Sequence, residues 1–149
     1  MSIRKRTVGS ESREIRSGQM TVNRLASGVD DVYRFFHGRG LTELRSMYGW
    51  ACNISISEMW KWSPLPLADL HSFMSRSTAN GIFTFGACDL FIADEEDRFT
   101  FCFCHEGDLH FQTADLQVLD RIAQNWIGQG FKVYCINKID PALLRDNSA

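Results

Sequence analysis

No hydrophobic run in these 149 residues approaches the roughly 18 that a membrane span requires. A signal peptide is also lacking: Met1-Ser2-Ile3-Arg4-Lys5-Arg6 is basic but leads into Ser, Glu and Gly instead of an apolar segment. Cysteine is too sparse for a disulfide scaffold. There are five, an odd number, and Cys52, Cys88, Cys102, Cys104 and Cys135 fall mostly in apolar or alternating runs. Used that way, cysteines are small buried hydrophobes in a reducing compartment, so a cytoplasmic location is expected, with no membrane partner. Only three prolines occur and no low-complexity bias is present, while 44% hydrophobic residues exclude a wholly disordered chain. The length suits one domain.

Signatures of common catalytic sites are missing too. There is no G-x-S-x-G elbow, and Gly38, Gly40 and Gly86 are too dispersed for a phosphate loop. Cys102, Cys104, His105 and His110 do bring four zinc-type ligands into nine residues. On a continuing strand, however, Cys102 and Cys104 share one face and His105 points to the other, whereas zinc cysteines are held on turns. The expectation is core cysteines beside turn histidines, with no catalytic residue, metal ligand or cofactor. A thiol nucleophile at Cys104 or Cys88, served by His105, His110 or His71, is disfavoured because acidic neighbours raise a thiol pKa. A small Cys/His or metal-dependent hydrolase built on this stretch is the alternative from the enzyme class.

Charge is scarce only in sum, at a formal −2. Residues 89–120 hold nine acids, Asp89, Asp94, Glu95, Glu96, Asp97, Glu106, Asp108, Asp115 and Asp120, against the single base Arg98. A segment this acidic attracts basic partners and repels nucleic acid.

Residues 1–19 are basic and without apolar periodicity, which reads as a disordered tail preceding a single domain over 20–149. Val29, Val32, Tyr33 and Phe36 lie at helical spacing, giving a helix from 29 to 37 capped by Ser27. A short helix or turn over 41–47 follows. Trp50, Cys52, Ile54 and Ile56 alternate as a strand reaching toward Trp60 or Trp62, and Ser63-Pro64-Leu65-Pro66 breaks it. A helix over 67–76 closes at Asn80-Gly81. Segments 82–85, 89–93, 98–104 and 109–112 are strands joined so tightly that only antiparallel hairpins fit, hence a meander of four. Leu116, Leu119, Ile122, Ala123, Trp126 and Ile127 mark a helix that starts near Thr113 or Asp115, residues 131–136 a last strand, and Asp140-Pro141 the start of a terminal helix. The fold expected is α+β: a mostly antiparallel sheet, the meander plus flanking strands, with helices packed on one face.

Leu65-Pro66, the following helix with Leu70 and Phe73, and then Asn80-Gly81 before a strand resemble the LP…F…NG signature of the SUKH superfamily of bacterial immunity proteins. Ile82 stands where that signature has a second glycine. The resemblance implies an α+β domain that binds and neutralises a cognate toxin. The run Asp89 to Asp94, followed by acidic turns and two further strands, is similar to the core of acidic, dimeric type III secretion chaperones. The expected function is therefore non-enzymatic binding of a protein with a basic surface. A homodimer is compatible with it. The expected contacts are the acidic turns Asp94, Glu95, Glu96, Asp97, Glu106 and Asp108, held on neighbouring ends of the sheet, with Trp60 and Trp62 as aromatic anchors.

Overall fold

From Leu90 onward, alternating side chains become three antiparallel strands close to their expected bounds. Numbered in chain order, these are β4 (Leu90–Asp94), β5 (Phe99–Phe103) and β6 (Leu109–Thr113). The computed structural model describes residues 12–137. Within them four more strands complete the sheet: β1 (Arg13–Ser17), β2 (Glu43–Tyr48), β3 (Ser63–Pro66) and β7 (Val133–Asn137). All seven pair antiparallel, in the spatial order β3-β2-β4-β5-β6-β1-β7. Helices α1 (Val22–Gly38), α2 (Leu70–Ala79) and α3 (Leu116–Gly128) cover one face, making an α+β fold. No described helix is long and apolar enough to cross a membrane.

Phenylalanine fills the space between helices and sheet. Phe99, Phe101 and Phe103 of β5 point toward the helices, and Phe35 of α1 stands edge-on to Phe99, Phe101 and Phe111 at 5.1, 5.2 and 5.4 Å between centroids. Phe36, Phe83, Phe103 and Phe111 are almost fully buried. Of the two starts expected for α3, Thr113 and Asp115, it is Asp115 that caps the helix, its Oδ1 accepting from the Gln117 and Val118 amides at 3.1 and 3.2 Å.

Ahead of β4 the chain differs from its sequence reading in five places. Arg13–Ser17 is not part of a disordered tail but an interior strand, with Ile15 pairing Phe111 on one side and Cys135 on the other. Ile15 and Ser17 are buried, and the Ser17 hydroxyl accepts from the Leu109 amide at 3.1 Å. A strand with one large apolar residue between Arg, Glu and Ser carries almost no hydrophobic signal of its own. Residues 1–11, the remainder of the expected tail, and the helix expected after Asp140 lie outside the described residues.

Helix α1 begins two turns earlier than expected, at a Thr21 cap whose hydroxyl accepts from the Arg24 amide at 3.1 Å, because Leu25 and Gly28 continue the buried stripe of Val29, Val32 and Phe36. The segment expected as a short helix or turn is strand β2, with Leu44 and Ser46 facing the core; a buried serine masked the alternation. Strand and break exchange places next. Residues 50–62 form a loop with a 3-10 turn at Ile56–Glu58, interrupted by positive φ at Ala51 and Trp60, and Ile56 is 86% exposed. Ser63–Pro66, expected as a break, is β3. It pairs with β2, Leu65 opposite Leu44, and lies at the sheet edge, where proline's missing N–H is tolerated. Ile82–Phe85, expected as the first strand of the meander, is not in a strand; Phe83 plugs the core instead.

Candidate functional site

Two hairpin turns hold most of the predicted site residues. Successive turns of a meander fall at opposite ends of the strand they share, so the β4–β5 and β5–β6 turns are separated by the length of β5 rather than lying on neighbouring ends.

At the β4–β5 turn the four acids have different fates. Asp94 is 1% exposed, against expectation: its Oδ1 accepts from the amides of Arg98 and Phe99, both at 2.8 Å, and its Oδ2 from Arg98 Nε at 3.2 Å. It holds the hairpin closed and offers nothing to a partner. Glu95, Glu96 and Asp97 are exposed, with Asp97 in the left-handed region that closes the turn. Arg45, which projects from β2 on the face opposite the helices, brings Asp97 together with an indole, while Glu96 pairs with Arg98 at 3.4 Å. The Arg45 guanidinium sits 3.4 Å from Asp97 Oδ1 and 4.4 Å from the Trp62 ring centroid. Leu44, Arg45, Trp62, Ser63, Pro64 and Glu95 line a shallow hollow of about 210 Å³ there. Trp60, 53% exposed, lies nearby against Phe91 at 6.1 Å between centroids. Gly49 makes room for it: a Cβ there would come within 2.9 Å of the Trp60 ring and 3.0 Å of Phe91.

The β5–β6 turn carries two acids, Glu106 and Asp108, of which only Glu106 is exposed. Asp108 is 2% exposed, again against expectation, because its Oδ2 accepts from His110 Nε2 at 3.1 Å and faces Arg16 Nη1 at 3.7 Å. Its Oδ1 is buried without any hydrogen-bond partner. The other nitrogen of His110, Nδ1, donates to Glu14 Oε2 at 2.7 Å. Burial by itself lowers the pKa of His110, yet Asp108, Cys104 and Glu14 together outweigh it and raise the imidazole to about 11. The same contacts with His110 and Cys104 overcome the upward push of burial on Asp108 and hold it below the usual carboxylate range.

Cys104 stands between two such groups. Its Sγ, a carboxylate oxygen of Asp108 and a ring nitrogen of His110 lie within 4.8 Å of one another, and so do Sγ and the corresponding atoms of Asp89 and His105. His105 donates to Asp89 Oδ1 from its amide at 2.7 Å and from Nδ1 at 2.8 Å. Strand β5 ends at Phe103, which frees His105 to turn back toward Asp89 instead of projecting to the opposite face. Cys102 is not in either group; burial lifts its thiol well above the ordinary range. Burial, then Cys88, pushes Cys52 up to about 12, so both are poor nucleophiles at neutral pH. Arg16, Gly18, Gln19, Gly86, His105, Glu106, Asp108 and Tyr134 line a cavity of about 680 Å³ beside the cluster.

Asp89, Glu14 and Arg16 were not anticipated in this cluster. No local signal marks them, since Glu14 and Arg16 reach His110 and Asp108 only through the pairing of β1 with β6. The chain matches no protein-family model, no curated protein and no solved structure.

Proposed function

We propose that this is a non-enzymatic binding protein that captures a partner with a basic surface, of the kind by which immunity proteins neutralise a toxin domain in the cytoplasm. The observation that carries the reading is the Arg45 junction, which gathers Asp97, Glu95 and the Trp62 indole into one exposed corner. Exposed acids steer a basic partner into encounter, and an indole with an apolar face and a polar edge supplies residence time. Trp60 extends the surface across Phe91. Glu106, at the far end of β5, stands outside that corner. Asp94 and Asp108 support the reading only indirectly, by fixing the turns. Four buried, unpaired cysteines fit a reducing compartment.

Immunity genes lie beside their toxin genes, so the test uses the product of the adjacent gene. Co-expression should relieve its toxicity, and Trp62→Ala combined with Glu95→Lys should abolish that relief while leaving the melting temperature unchanged. Relief that survives the double variant overturns the reading. An acidic homodimer that instead retains an unfolded segment of the neighbour would favour a secretion chaperone.

A further inference from the structure

We propose that Cys104, Asp108 and His110 form a binding site for a divalent ion of the zinc class, with Glu14 orienting the histidine. The three side chains offer a thiolate sulfur, a carboxylate oxygen and an imidazole nitrogen, the donor set that zinc accepts in tetrahedral sites, and their ligating atoms already lie within 4.8 Å of one another.

The backbone holds them there. Cys104 and Asp108 bracket a tight turn in which the Cys104 amide donates to the Asp108 carbonyl at 2.9 Å and the Gly107 amide to the Cys104 carbonyl at 3.0 Å. Gly107 adopts φ +84°, a conformation that strains any residue with a Cβ. His110 lies two residues beyond Asp108 on β6. A pair of ligand residues held across a turn, plus a histidine from the strand that follows, is an arrangement that the linear spacing of Cys102, Cys104, His105 and His110 hid.

A second observation points to a ligand. Asp108 Oδ1 is the one buried side-chain oxygen or nitrogen among the described residues without a hydrogen-bond partner, in a carboxylate nearly sealed from solvent. Leaving such an atom unpaired is costly in free energy, and a coordinated cation removes the penalty. The surroundings suit it as well. Glu14 Oε2 accepts from His110 Nδ1 at 2.7 Å, which directs Nε2 toward Asp108 and Cys104, the carboxylate–histidine relay that orients histidines on zinc. Arg16, the cation now nearest Asp108 at 3.7 Å, already leans on the Tyr134 ring with its guanidinium 4.3 Å from the centroid, leaving it a resting place when an ion takes over Asp108. Asp108 also lines the neighbouring cavity. Three protein ligands beside a cavity leave a fourth position for water or a small anion.

Asp89, Cys104 and His105 form a competing set that shares the same thiol. It is the weaker of the two, because the amide and Nδ1 of His105 satisfy Asp89 and no buried oxygen of Asp89 is left unpaired, whereas Asp108 Oδ1 is.

The test is titration of the full chain, stripped of metal, with Zn²⁺ against a chromophoric chelator, alongside Co²⁺ spectra. The wild type should take up one equivalent and give a sulfur-to-cobalt charge-transfer band with the intensity of a tetrahedral site. Cys104→Ser, nearly isosteric and expected to fold, should lose that band and about a hundredfold in zinc affinity. His105→Ala, which removes a neighbour 3.8 Å from Cys104 Sγ and no ligand, should cost no more than about tenfold in affinity. Absence of zinc binding below millimolar concentration in the wild type, or retention of affinity in Cys104→Ser, overturns the proposal. A His105→Ala loss as large as that of Cys104→Ser overturns it as well, by moving the ion to Asp89, Cys104 and His105.

Discussion

The two acidic turns of the meander differ in how many carboxylates they carry, four at residues 94–97 against Glu106 and Asp108, and also in what surrounds them. At the β4–β5 turn Glu95, Glu96 and Asp97 stand in solvent, with Arg45 beside Asp97 and Arg98 beside Glu96, and one acid, Asp94, is consumed in closing the hairpin. At the β5–β6 turn a histidine and an arginine from neighbouring strands draw Asp108 inward, and Glu106 alone stays outside. A nearby cation does not by itself bury an acid, since Arg45 on β2 reaches Asp97 and leaves it exposed; Asp108 is buried where His110 and Arg16 both converge on one carboxylate oxygen. The pairing of β1 with β6 brings Arg16 to Asp108, so the two turns present their acids differently.

The comparison breaks most severely if β1 is removed, because only the β5–β6 turn draws partners from it. Deleting residues 1–19 strips Glu14 and Arg16 from His110 and Asp108 and takes away the strand between β6 and β7. The loss should rival the whole stability of a small domain, about 5 to 15 kcal/mol, so the truncated chain should show no cooperative melting transition by circular dichroism. Within the turns, Asp108→Ala leaves His110 and Arg16 without their buried counterion and should destabilise by about 3 to 5 kcal/mol, whereas Asp97→Ala should stay within about 0.5 kcal/mol in the same urea titration. Asp94→Ala falls between them. Two backbone amides and the Arg98 side chain lose a charged acceptor, a change of about 1.5 to 3 kcal/mol. Equal effects of Asp94→Ala and Asp97→Ala would erase the distinction between structural and exposed acids.

Elements whose signal is carried by their own residues were legible in the sequence. The alternation of Phe99, Phe101 and Phe103 and the stripe containing Trp126, with a start near Thr113 or Asp115, located β5 and α3 closely. Elements defined by their neighbours were not. Arg13–Ser17 becomes a strand because β6 and β7 provide two edges for it, and Pro64 and Pro66 are accommodated in β3 because that strand is at the sheet edge. The candidate site divides along the same line. Exposure of Glu95, Glu96 and Asp97 follows from local polarity and turn chemistry; Asp94 is held by Arg98 and Phe99 of its own hairpin, whereas Asp108 also meets Arg16, which only the pairing of β1 with β6 brings near. The convergence of Cys104 with His110 across a turn was concealed by reading residues 102–105 as one continuous strand.

The most direct test of the account compares association rates. Reversal of Glu95, Glu96 and Asp97 to Lys, with Asp94 kept, should leave the melting temperature within about 2 °C, as for exposed turn residues. Stopped-flow binding to the basic partner encoded beside the gene should then slow about tenfold or more at physiological salt and lose most of its salt dependence, while Glu106→Lys at the opposite end of β5 should change the rate by less than about twofold. An unchanged rate after the triple reversal, or an equal slowing by Glu106→Lys, would contradict the assignment of binding to the Arg45 corner.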